Sequence, residues 1–253
     1  LKSASFRAHS ETGSVHAGLG GVSGEVLWLR FAQSGFLISR YLGHMYSCIN
    51  LASLSHNGEI LVTSCRDHRV AVWRPFGPDP VNTPWRVFRD STTEIWSLAL
   101  SHSSRYLAGG GINNGIYLWD LEAEDPEEAL IAMRFDHTGW ISELAWADQD
   151  RVLASSSWDN TVGVYRGTDL MPLYQLDLHT DYVSSVMFVP DTTLLVSASY
   201  DQQIAVWDWS QASLIRVIEE HDDWVQAIAF SGHGTFLSAS SDQEGAMTGE
   251  GDG

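Results

Sequence analysis

Short segments in which apolar and polar residues alternate recur along the chain. They include YVSSVMFV at 182–189, WISELAWA at 140–147 and WVQAIAFS at 224–231. Each segment is followed by turn-forming residues drawn from Pro, Gly, Asp and Ser. Alternation with a period of two, bounded by such turns, is typical of antiparallel β-structure. The pattern therefore predicts an all-β protein built from short strands.

A longer period is superimposed on the strand pattern. The phrase LVSASYDQQIAVWD at 195–208 returns as LVTSCRDHRVAVWR at 61–74 and as LASSSWDNTVGVYR at 153–166. The aromatic residues that align with the end of the phrase lie 42 to 46 residues apart, at Trp28, Trp73, Trp119, Tyr165 and Trp207. Four strands fit into each period, so the sequence predicts about five repeated four-stranded units.

Polar residues keep the same phase as these aromatics. Six residues before the aromatic, four units carry Asp67, Asn113, Asp159 and Asp201, and Asp242 follows FLSASS without a tryptophan. A histidine lies 21 to 23 residues before the aspartate, at His44, His137, His179 and His221. The repeat thus includes a fixed set of hydrogen-bonding side chains.

These features resemble the WD-repeat β-propeller family. The resemblance is carried by Trp-Asp at 119–120 and 207–208, Gly-His at 43–44, and Ser-x-Ser-x-Asp at 155–159, 197–201 and 238–242. It covers residues 26–242 and implies a propeller of four-stranded antiparallel blades. Because this family commonly has seven blades, the chain is interpreted as a fragment of a larger ring. A smaller closed ring is the alternative.

The resemblance also implies a structural role for the recurring polar residues. In the family, the His, Ser or Thr, Asp and Trp of one blade form a buried hydrogen-bonded chain, here called the clamp. A buried carboxylate is costly unless it is hydrogen-bonded, which explains why the phrase recurs. Three clamps are expected: His44, Thr63, Asp67 and Trp73; His137, Ser155, Asp159 and Tyr165; and His179, Ser197, Asp201 and Trp207.

The unit around Trp119 departs from this pattern. It has Asp90 near the histidine position, Gly109 in place of the serine and Asn113 in place of the aspartate. We expect this unit to lack the clamp and to be the weakest one. The glycines of GGGINNG, at 109–115, also predict local flexibility there.

Two segments depart from the strand pattern. Residues 8–24 are polar and glycine-rich and are interpreted as a loop or insertion, with LKSASFR before them as the second strand of a blade. Residues 243–253 offer little to bury and are predicted to be a disordered Gly-rich tail. Residues 1–242 are therefore assigned to the propeller.

Composition restricts the partners. The formal net charge of −18 repels phosphate backbones and anionic lipid surfaces, so neither nucleic acid nor a membrane is expected as a partner. The only two cysteines, Cys48 and Cys65, form no CxxC pair, and no Asn-x-Ser/Thr acceptor occurs. Together with the absence of an apolar run of ~20 residues, these features predict a soluble protein of a reduced compartment, cytoplasmic or nuclear.

The sequence offers no convincing catalytic or metal site. HExxH and GxSxG are missing, and the four periodic histidines fall in different units, too far apart to share an ion. GLGGVSG at 18–24 imitates a dinucleotide-binding loop, but a strand follows it where a helix is needed. We therefore expect no cofactor, no metal and no enzymatic activity. The alternative is a propeller enzyme or metal-dependent site that uses polar residues at the central channel.

Positions beside the clamp carry the functional prediction. In the family, the residue before the first strand and the residue before the clamp aspartate face the top rim, where partners dock. By resemblance, an aromatic arc crosses three neighbouring blades: Trp140, Trp158, Tyr182, Tyr200 and Trp224. Glu94 and Arg66 occupy the same positions in other blades, and Gln226 lies close by in sequence. The alternative is that the rings only pack against each other between blades.

Charge beside these aromatics indicates the kind of partner. Asp181, Asp222 and Asp223 precede or neighbour the arc, and acids beside aromatics suit a peptide carrying Lys or Arg. The acidic run LEAEDPEEA at 121–129 is interpreted as a solvated loop between the third and fourth strands of its blade, on the opposite face. The sequence therefore predicts a non-enzymatic scaffold that binds a protein or peptide, basic in character, within a multiprotein complex.

Overall fold

The structure is a computed structural model that describes residues 3–9, 14–20, 25–32, 35–42, 49–74, 83–232, 235–241 and 247–250. Within these ranges the regular elements are β-strands and two short 3₁₀ helices, Pro126–Glu128 and Asp148–Asp150. His44, Cys48 and Asp242 lie outside the described residues. No helix in the described part of the chain is long and apolar enough to span a membrane.

The chain divides into two compact units, one of residues 1–113 and 117–132 and the other of residues 114–116 and 133–253. The first unit holds two complete sheets and most of a third. Their strands are β1 Ser3–His9, β2 Ser14–Gly20, β3 Glu25–Ala32 and β4 Gly35–Leu42; β5 Ile49–Leu54, β6 Leu61–Cys65, β7 Val70–Trp73 and β8 Arg86–Phe88; and β9 Ile95–Leu100, β10 Tyr106–Gly111, β11 Ile116–Asp120 and β12 Leu130–Arg134.

The second unit holds three further sheets. Their strands are β13 Ile141–Trp146, β14 Val152–Ser157, β15 Thr161–Arg166 and β16 Pro172–Asp177; β17 Val183–Phe188, β18 Leu194–Ser199, β19 Ile204–Asp208 and β20 Ser213–Ile218; and β21 Val225–Gly232, β22 Thr235–Ser240 and β23 Met247–Glu250. In every sheet the strands follow chain order. The prediction of an all-β protein made of four-stranded antiparallel units is confirmed.

The hairpin between the second and third strands is built by the same local chemistry in several sheets. In the turn after β18, the Gln202 amide donates to the Ser199 carbonyl at 3.3 Å, and Gln202 has a left-handed backbone with φ of 74°. Asp201 Oδ1 accepts the Gln203 amide at 3.0 Å. An aspartate that bonds the amide two residues on stabilises such a turn. The aspartate of the repeat therefore also stabilises the turn itself.

The core lies between the faces of neighbouring sheets. In the second unit, Val164 of β15, Val186 of β17 and Trp207 of β19 belong to one buried cluster. The Ser-rich strands β14 and β18 are almost wholly buried, whereas the fourth strands β16 and β20 are mostly exposed. Burial on both faces explains why the second strands consist of small residues and aliphatics.

The N-terminal sheet differs from its sequence interpretation. The segment at 8–24 contains strand β2, which pairs with β1 on one side and β3 on the other, so it is not a loop throughout. Strand β1 is the first strand of this sheet rather than the second, and it contacts β5. A Cβ on Gly18 would collide with Leu61 Cδ1. The glycine here permits close packing in a strand, a use of glycine that composition alone does not distinguish from a loop.

The C-terminal segment also contains a strand. Met247–Glu250 form β23, which pairs antiparallel with β22 from Ser238↔Met247 to Thr235↔Glu250. The prediction of a disordered tail over 243–253 is therefore wrong for these four residues. The edge of β22 offers unpaired backbone donors and acceptors, and pairing with them requires no apolar side chain.

The acidic segment at 121–129 lies where its sequence position indicated. It connects β11 to β12, the third and fourth strands of one sheet, and includes the helix Pro126–Glu128. Asp125 caps this helix by accepting the Glu127 amide at 2.9 Å. Residues 124–128 are exposed, in keeping with a solvated loop.

Candidate functional site

A complete clamp connects three elements of the sheet β17–β20. His179 Nδ1 lies 2.9 Å from Asp201 Oδ2, and His179 Nε2 lies 2.8 Å from Ser197 Oγ. The Trp207 indole donates to the same Ser197 Oγ at 2.9 Å. The His179 and Asp201 side chains are 1% and 5% exposed, so these groups are bonded to each other instead of to water. The backbone amide of Thr180 donates to Asp201 Oδ2 as well, at 3.0 Å.

A second clamp in the sheet β13–β16 uses a tyrosine in place of the tryptophan. His137 Nδ1 lies 2.8 Å from Asp159 Oδ2, and His137 Nε2 lies 2.7 Å from Ser155 Oγ. The Tyr165 hydroxyl is hydrogen-bonded to Ser155. Thr161, which sequence reasoning overlooked, donates its hydroxyl to Asp159 Oδ1 at 2.7 Å. This aspartate therefore has partners on both carboxylate oxygens.

These contacts determine the charge state of both clamp aspartates. Burial alone raises the pKa of Asp159 and Asp201, but hydrogen bonds and electrostatic attraction from His137 and His179, with further donors, lower both pKa values below the usual range. The two carboxyls therefore stay ionised at neutral pH. Their role in these positions is to hold the loop before the first strand against the hairpin after the second.

The third predicted clamp is described only in part. The Trp73 indole donates to Thr63 Oγ1 at 3.0 Å, and Asp67 Oδ1 accepts the Arg69 amide at 3.1 Å. His44 lies outside the described residues, so its part in this clamp stays a prediction. In the sheet β21–β23, His221 Nε2 lies 2.8 Å from Ser238 Oγ, which extends the His-Ser pair to a further unit.

The unit around Trp119 replaces the clamp with a direct bond. The Trp119 indole donates to Asp90 Oδ2 at 2.8 Å, and Asn113 donates its amide to the Tyr117 hydroxyl at 2.8 Å. A Cβ on Gly109 would lie 2.7 Å from Trp119 Cζ3. The absence of a side chain at Gly109 therefore leaves space for the Trp119 ring, and Asp90 takes the bond that a serine makes in the complete clamps.

The five predicted arc residues form one continuous series of ring contacts, here called the aromatic stack. Ring centroids are 4.5 Å apart for Trp140 and Trp158, 4.7 Å for Trp158 and Tyr182, 6.1 Å for Tyr182 and Tyr200, and 4.9 Å for Tyr200 and Trp224. Three of these pairs are stacked and the pair Tyr182 and Tyr200 is tilted by 51°. The stack lies wholly within the second unit.

The rings are exposed as well as packed. Trp140, Tyr182 and Trp224 are 37%, 40% and 50% exposed, and the intervening Trp158 and Tyr200 are partly buried. The two sequence interpretations, a docking surface and packing between blades, are therefore compatible. The three rings that precede first strands provide the exposed surface. The two rings that precede the clamp aspartates, Trp158 and Tyr200, lie between them and pack against them.

Backbone bonds fix the two ring pairs that lie within one sheet, and an equivalent bond holds Trp224. The Trp158 amide donates to the Trp140 carbonyl at 2.9 Å, the Tyr200 amide to the Tyr182 carbonyl at 2.9 Å, and the Ser241 amide to the Trp224 carbonyl at 3.1 Å. Gly139 permits the first of these approaches, because a Cβ there would collide with the Asp159 amide nitrogen. Within one sheet, the ring spacing therefore follows from the same loops that the clamps hold.

Acidic residues border the stack. Asp181 and Asp223 each accept the amide of the following aromatic residue at 2.7 Å, and Asp222 is exposed. Gln226 donates its side-chain amide to Ser241 Oγ at 2.6 Å. Carboxylates therefore directly precede two of the stacked rings in the sequence, and they add negative charge to the aromatic surface.

Glu94 and Arg66 come together in the first unit. Arg66 Nε lies 3.9 Å from Glu94 Oε2. The same oxygen accepts hydrogen bonds from the side-chain amide of Asn50 at 3.3 Å and from the Trp96 indole at 3.1 Å. Sequence reasoning overlooked Asn50 and Trp96. Both follow the apolar residue that opens a first strand, as Gln226 does, and that shared position was the available signal.

No group of three or more His, Cys, Asp or Glu side chains suited to a metal ion occurs among the described residues. Outside the clamps, Glu143 is a buried carboxyl with a shifted pKa. Burial raises the pKa of its carboxyl, although Ser185 Oγ and, at 3.0 Å, the Val186 amide donate to it. Glu143 thus joins β13 to β17 through its Oε2 atom.

Comparison with curated proteins finds relatives of limited identity. The chain is 27% identical over 117 residues to the Denticleless protein homolog of Danio rerio, a match covering 45% of this chain and 17% of the relative. It is 24% identical over 152 residues to a Chromatin assembly factor 1 component of Saccharomyces cerevisiae, covering 49% of this chain and 32% of the relative. The chain therefore spans about a third or less of the length of these relatives.

The structural comparison and the family match cover more of the chain than the two relatives do. A chain of the solved structure titled "Crystal Structure of Mitotic Checkpoint Complex" superposes with a TM-score of 0.79 at 17% identity, covering 96% of this chain and 74% of that one. The family described as "WD domain, G-beta repeat" matches residues 35–74, 82–120, 130–166, 170–208 and 212–244. These five matches cover most of the chain and coincide with its four-stranded period. The chain belongs to the WD40 repeat family.

Proposed function

We propose that this chain is a non-enzymatic interaction platform that binds a protein or peptide segment on its aromatic stack. The observation that carries the proposal is the continuous series of four contacts among five rings, in which Trp140, Tyr182 and Trp224 are each more than a third exposed. Aromatic side chains each bury ~150–250 Å² when covered and dominate binding hot spots. WD40 proteins typically act as interaction scaffolds, which supports this assignment.

Rigidity makes the stack an effective binding surface. Each ring contacts a neighbour. The clamps at His137 and His179 hold the loops of four of the rings, and the pair of His221 and Ser238 holds the loop before Trp224. Binding to side chains that are already ordered costs little conformational entropy. The clamps therefore contribute to affinity indirectly, through the position of the rings.

Charge favours a basic segment. The protein has a net charge of −18, and Asp181, Asp222 and Asp223 border the stack. Lys and Arg side chains pair with carboxylates and stack over indole and phenol rings. Stacked aromatics also suit nucleobases, but the net charge repels a phosphate backbone, so a peptide is the favoured partner over nucleic acid. The same charge disfavours binding to an anionic membrane surface.

The relatives support assembly into a larger complex. One is named as a component of chromatin assembly factor 1, and another, 27% identical over 85 residues, is a probable cytosolic iron-sulfur protein assembly protein of Caenorhabditis elegans. By analogy we place this chain in a multiprotein complex in the cytoplasm or nucleus. Catalysis is not part of the proposal, because the ionised Asp159 and Asp201 are occupied by hydrogen bonds within the clamps.

The proposal is tested by peptide-array binding and affinity capture with the intact chain. The variant Trp140→Ala/Tyr182→Ala/Trp224→Ala removes the three exposed rings and leaves every clamp residue in place. A matched control, Leu214→Ala/Ile215→Ala, removes exposed apolar side chains of 43% and 55% exposure from β20 in the same unit. We expect the triple variant to lose roughly 100-fold or more in affinity for captured basic peptides, and the control to bind as the parent does.

Two outcomes would contradict the proposal. The first is equal binding by the parent and the triple variant while both retain the same thermal midpoint. The second is selection of acidic in place of basic peptides by the array. Binding to basic peptides should also weaken as salt rises, because it depends on charge pairs at an exposed surface.

A further inference from the structure

The substitution of tyrosine for tryptophan in one clamp changes the surface beside it. A Cβ on Gly163 would lie 2.6 Å from both Cε2 and the hydroxyl oxygen of Tyr165, so this ring lies directly over the glycine. The corresponding residues in the next sheet are Ala205 and Trp207, which share a buried cluster. The pair of Gly163 and Tyr165 is therefore smaller than its counterpart and fills less space.

A cavity of about 160 Å³ lies beside this pair. All of its lining belongs to the second unit and comes from the loop before β13, from β15 and from β16. The lining residues are Asp136, His137, Gly163, Tyr165 and the run Pro172, Leu173, Tyr174 and Gln175. A bulge in β16 shapes one wall, because Tyr165 pairs with Pro172 while Val164 pairs with Tyr174, which leaves Leu173 as the extra residue.

Most polar groups in the cavity already have partners. His137 is bonded through both ring nitrogens, to Asp159 and Ser155. The Tyr165 hydroxyl is bonded to Ser155, and burial, followed by the negative charge of Asp136, raises the pKa of Tyr165 to about 12. Tyr165 is therefore a neutral phenol at physiological pH and presents its ring to the cavity.

Asp136 is the charged group that is available. It is exposed, and within the described residues its carboxylate has no hydrogen bond or ion pair with protein. Two tyrosine rings and the aliphatic side chains of Leu173 and Pro172 complete the lining. A negative group at the edge of an aromatic and aliphatic cavity complements a ligand with an apolar stem and a cationic end.

Size limits the ligand further. Sites for drug-sized molecules measure roughly 300 Å³ or more, so a cavity of about 160 Å³ accommodates one amino-acid side chain. We propose that this cavity beside Tyr165 is a second recognition site, which takes a single Lys or Arg side chain of a protein partner. It is formed by residues other than the aromatic stack, so its function does not depend on that of the stack.

Titration with small probes tests the site on the intact chain. The probes are the N-acetyl methylamides of lysine, arginine and norleucine, which separate the two cations from an uncharged side chain of similar length. Ring signals of Tyr165 and Tyr174 are followed by NMR in protein labelled at tyrosine. We expect the lysine or arginine probe to shift both signals with a Kd of about 1 mM, and the norleucine probe to bind at least 5-fold more weakly.

Two variants identify the groups responsible. Asp136→Asn should abolish the preference for the cationic probes, and Tyr174→Ala should weaken both of them. The control Glu219→Gln removes an equal charge from an exposed carboxylate beyond β20 and should leave probe binding unchanged. In the variant Trp140→Ala/Tyr182→Ala/Trp224→Ala, the cationic probes should still shift the Tyr165 and Tyr174 signals as they do in the parent, which distinguishes this site from the aromatic stack.

The proposal is overturned if the norleucine probe binds as well as the two cations, or if Asp136→Asn binds them as the parent does. It is equally overturned if neither cationic probe shifts the Tyr165 and Tyr174 signals at a probe concentration 20 times the expected Kd of ~1 mM. Thermal midpoints of the variants, compared with the parent, verify that each protein is folded in the measurement.

Discussion

Replacing Asp201 by alanine tests the clamp at its most connected residue. The substitution removes three acceptor contacts, with His179 Nδ1 at 2.9 Å, the Thr180 amide at 3.0 Å and the Gln203 amide at 3.0 Å. Thr180 is exposed, so its amide can bond to water instead. The His179 side chain is only 1% exposed and cannot do so easily.

The expected loss of stability follows from that difference. A buried donor left without a partner costs about 1–3 kcal/mol, and we assign this range to His179 in Asp201→Ala. In a protein of this size, each kcal/mol lowers the thermal midpoint by about 2–4 °C. The variant should therefore melt roughly 2–12 °C below the parent at pH 7. Urea denaturation followed by tryptophan fluorescence measures the same loss as a lower midpoint concentration.

The pH dependence of this loss has a definite sign. The pKa of Asp201 is lower in the folded protein than its ordinary value, so its ionised form stabilises the fold above the unfolded pKa. That contribution disappears as the pH falls towards the folded pKa. The difference in midpoint between the parent and Asp201→Ala should therefore be largest near pH 7 and shrink below about pH 4.

A matched variant makes the test decisive. Asp177→Ala removes an exposed carboxylate at the end of β16 and should change stability by less than about 0.5 kcal/mol. If Asp201→Ala melts at the same temperature as Asp177→Ala, the buried hydrogen-bonded chain does not stabilise this sheet. That result would refute the physical explanation of the repeat.

Three further predictions concern single residues. Gly109→Ser restores the residue of the complete clamps, but its Cβ would meet Trp119 at 2.7 Å, so thermal melting should show a loss of about 1–3 kcal/mol; Gly109→Ser melting at or above the parent would contradict this. Burial raises the pKa of Glu143, so ionisation at pH 7 opposes folding; Glu143→Gln should raise the melting temperature at pH 7 and lose that advantage near pH 4, whereas a pH-independent effect would contradict the assignment. An absorbance titration should find a tyrosine with a pKa of about 12 that is missing from Tyr165→Phe, and retention of that transition in the variant would exclude Tyr165.

The strands and the clamps were accessible from the sequence because both depend on local spacing. The 22 residues from His179 to Asp201 span one loop and one hairpin, and the same separation in His137 and Asp159 brings the same atoms together. The turn chemistry around the aspartate is also local. A regular period therefore predicted antiparallel units and the position of each hydrogen-bonding group within them.

Contacts between sheets were less accessible. The sequence placed five aromatics at equivalent positions and left open whether they would be exposed or packed. The structure shows both, because rings of neighbouring sheets lie 4.7 and 4.9 Å apart while three of the five rings keep more than a third of their surface exposed. The spacing of sheets is set by core packing, which no single repeat encodes.

Exceptions to the repeat required the tertiary structure most. Asp90 replaces a serine as the partner of Trp119, strands β2 and β23 form from glycine-rich segments, and a cavity opens beside Tyr165. The sequence by itself determined the all-β class, the four-stranded period and the clamp residues, since these repeat and are local. Only the tertiary structure decided how non-repeating residues use the space between neighbouring strands and sheets, because that space depends on side chains distant in sequence.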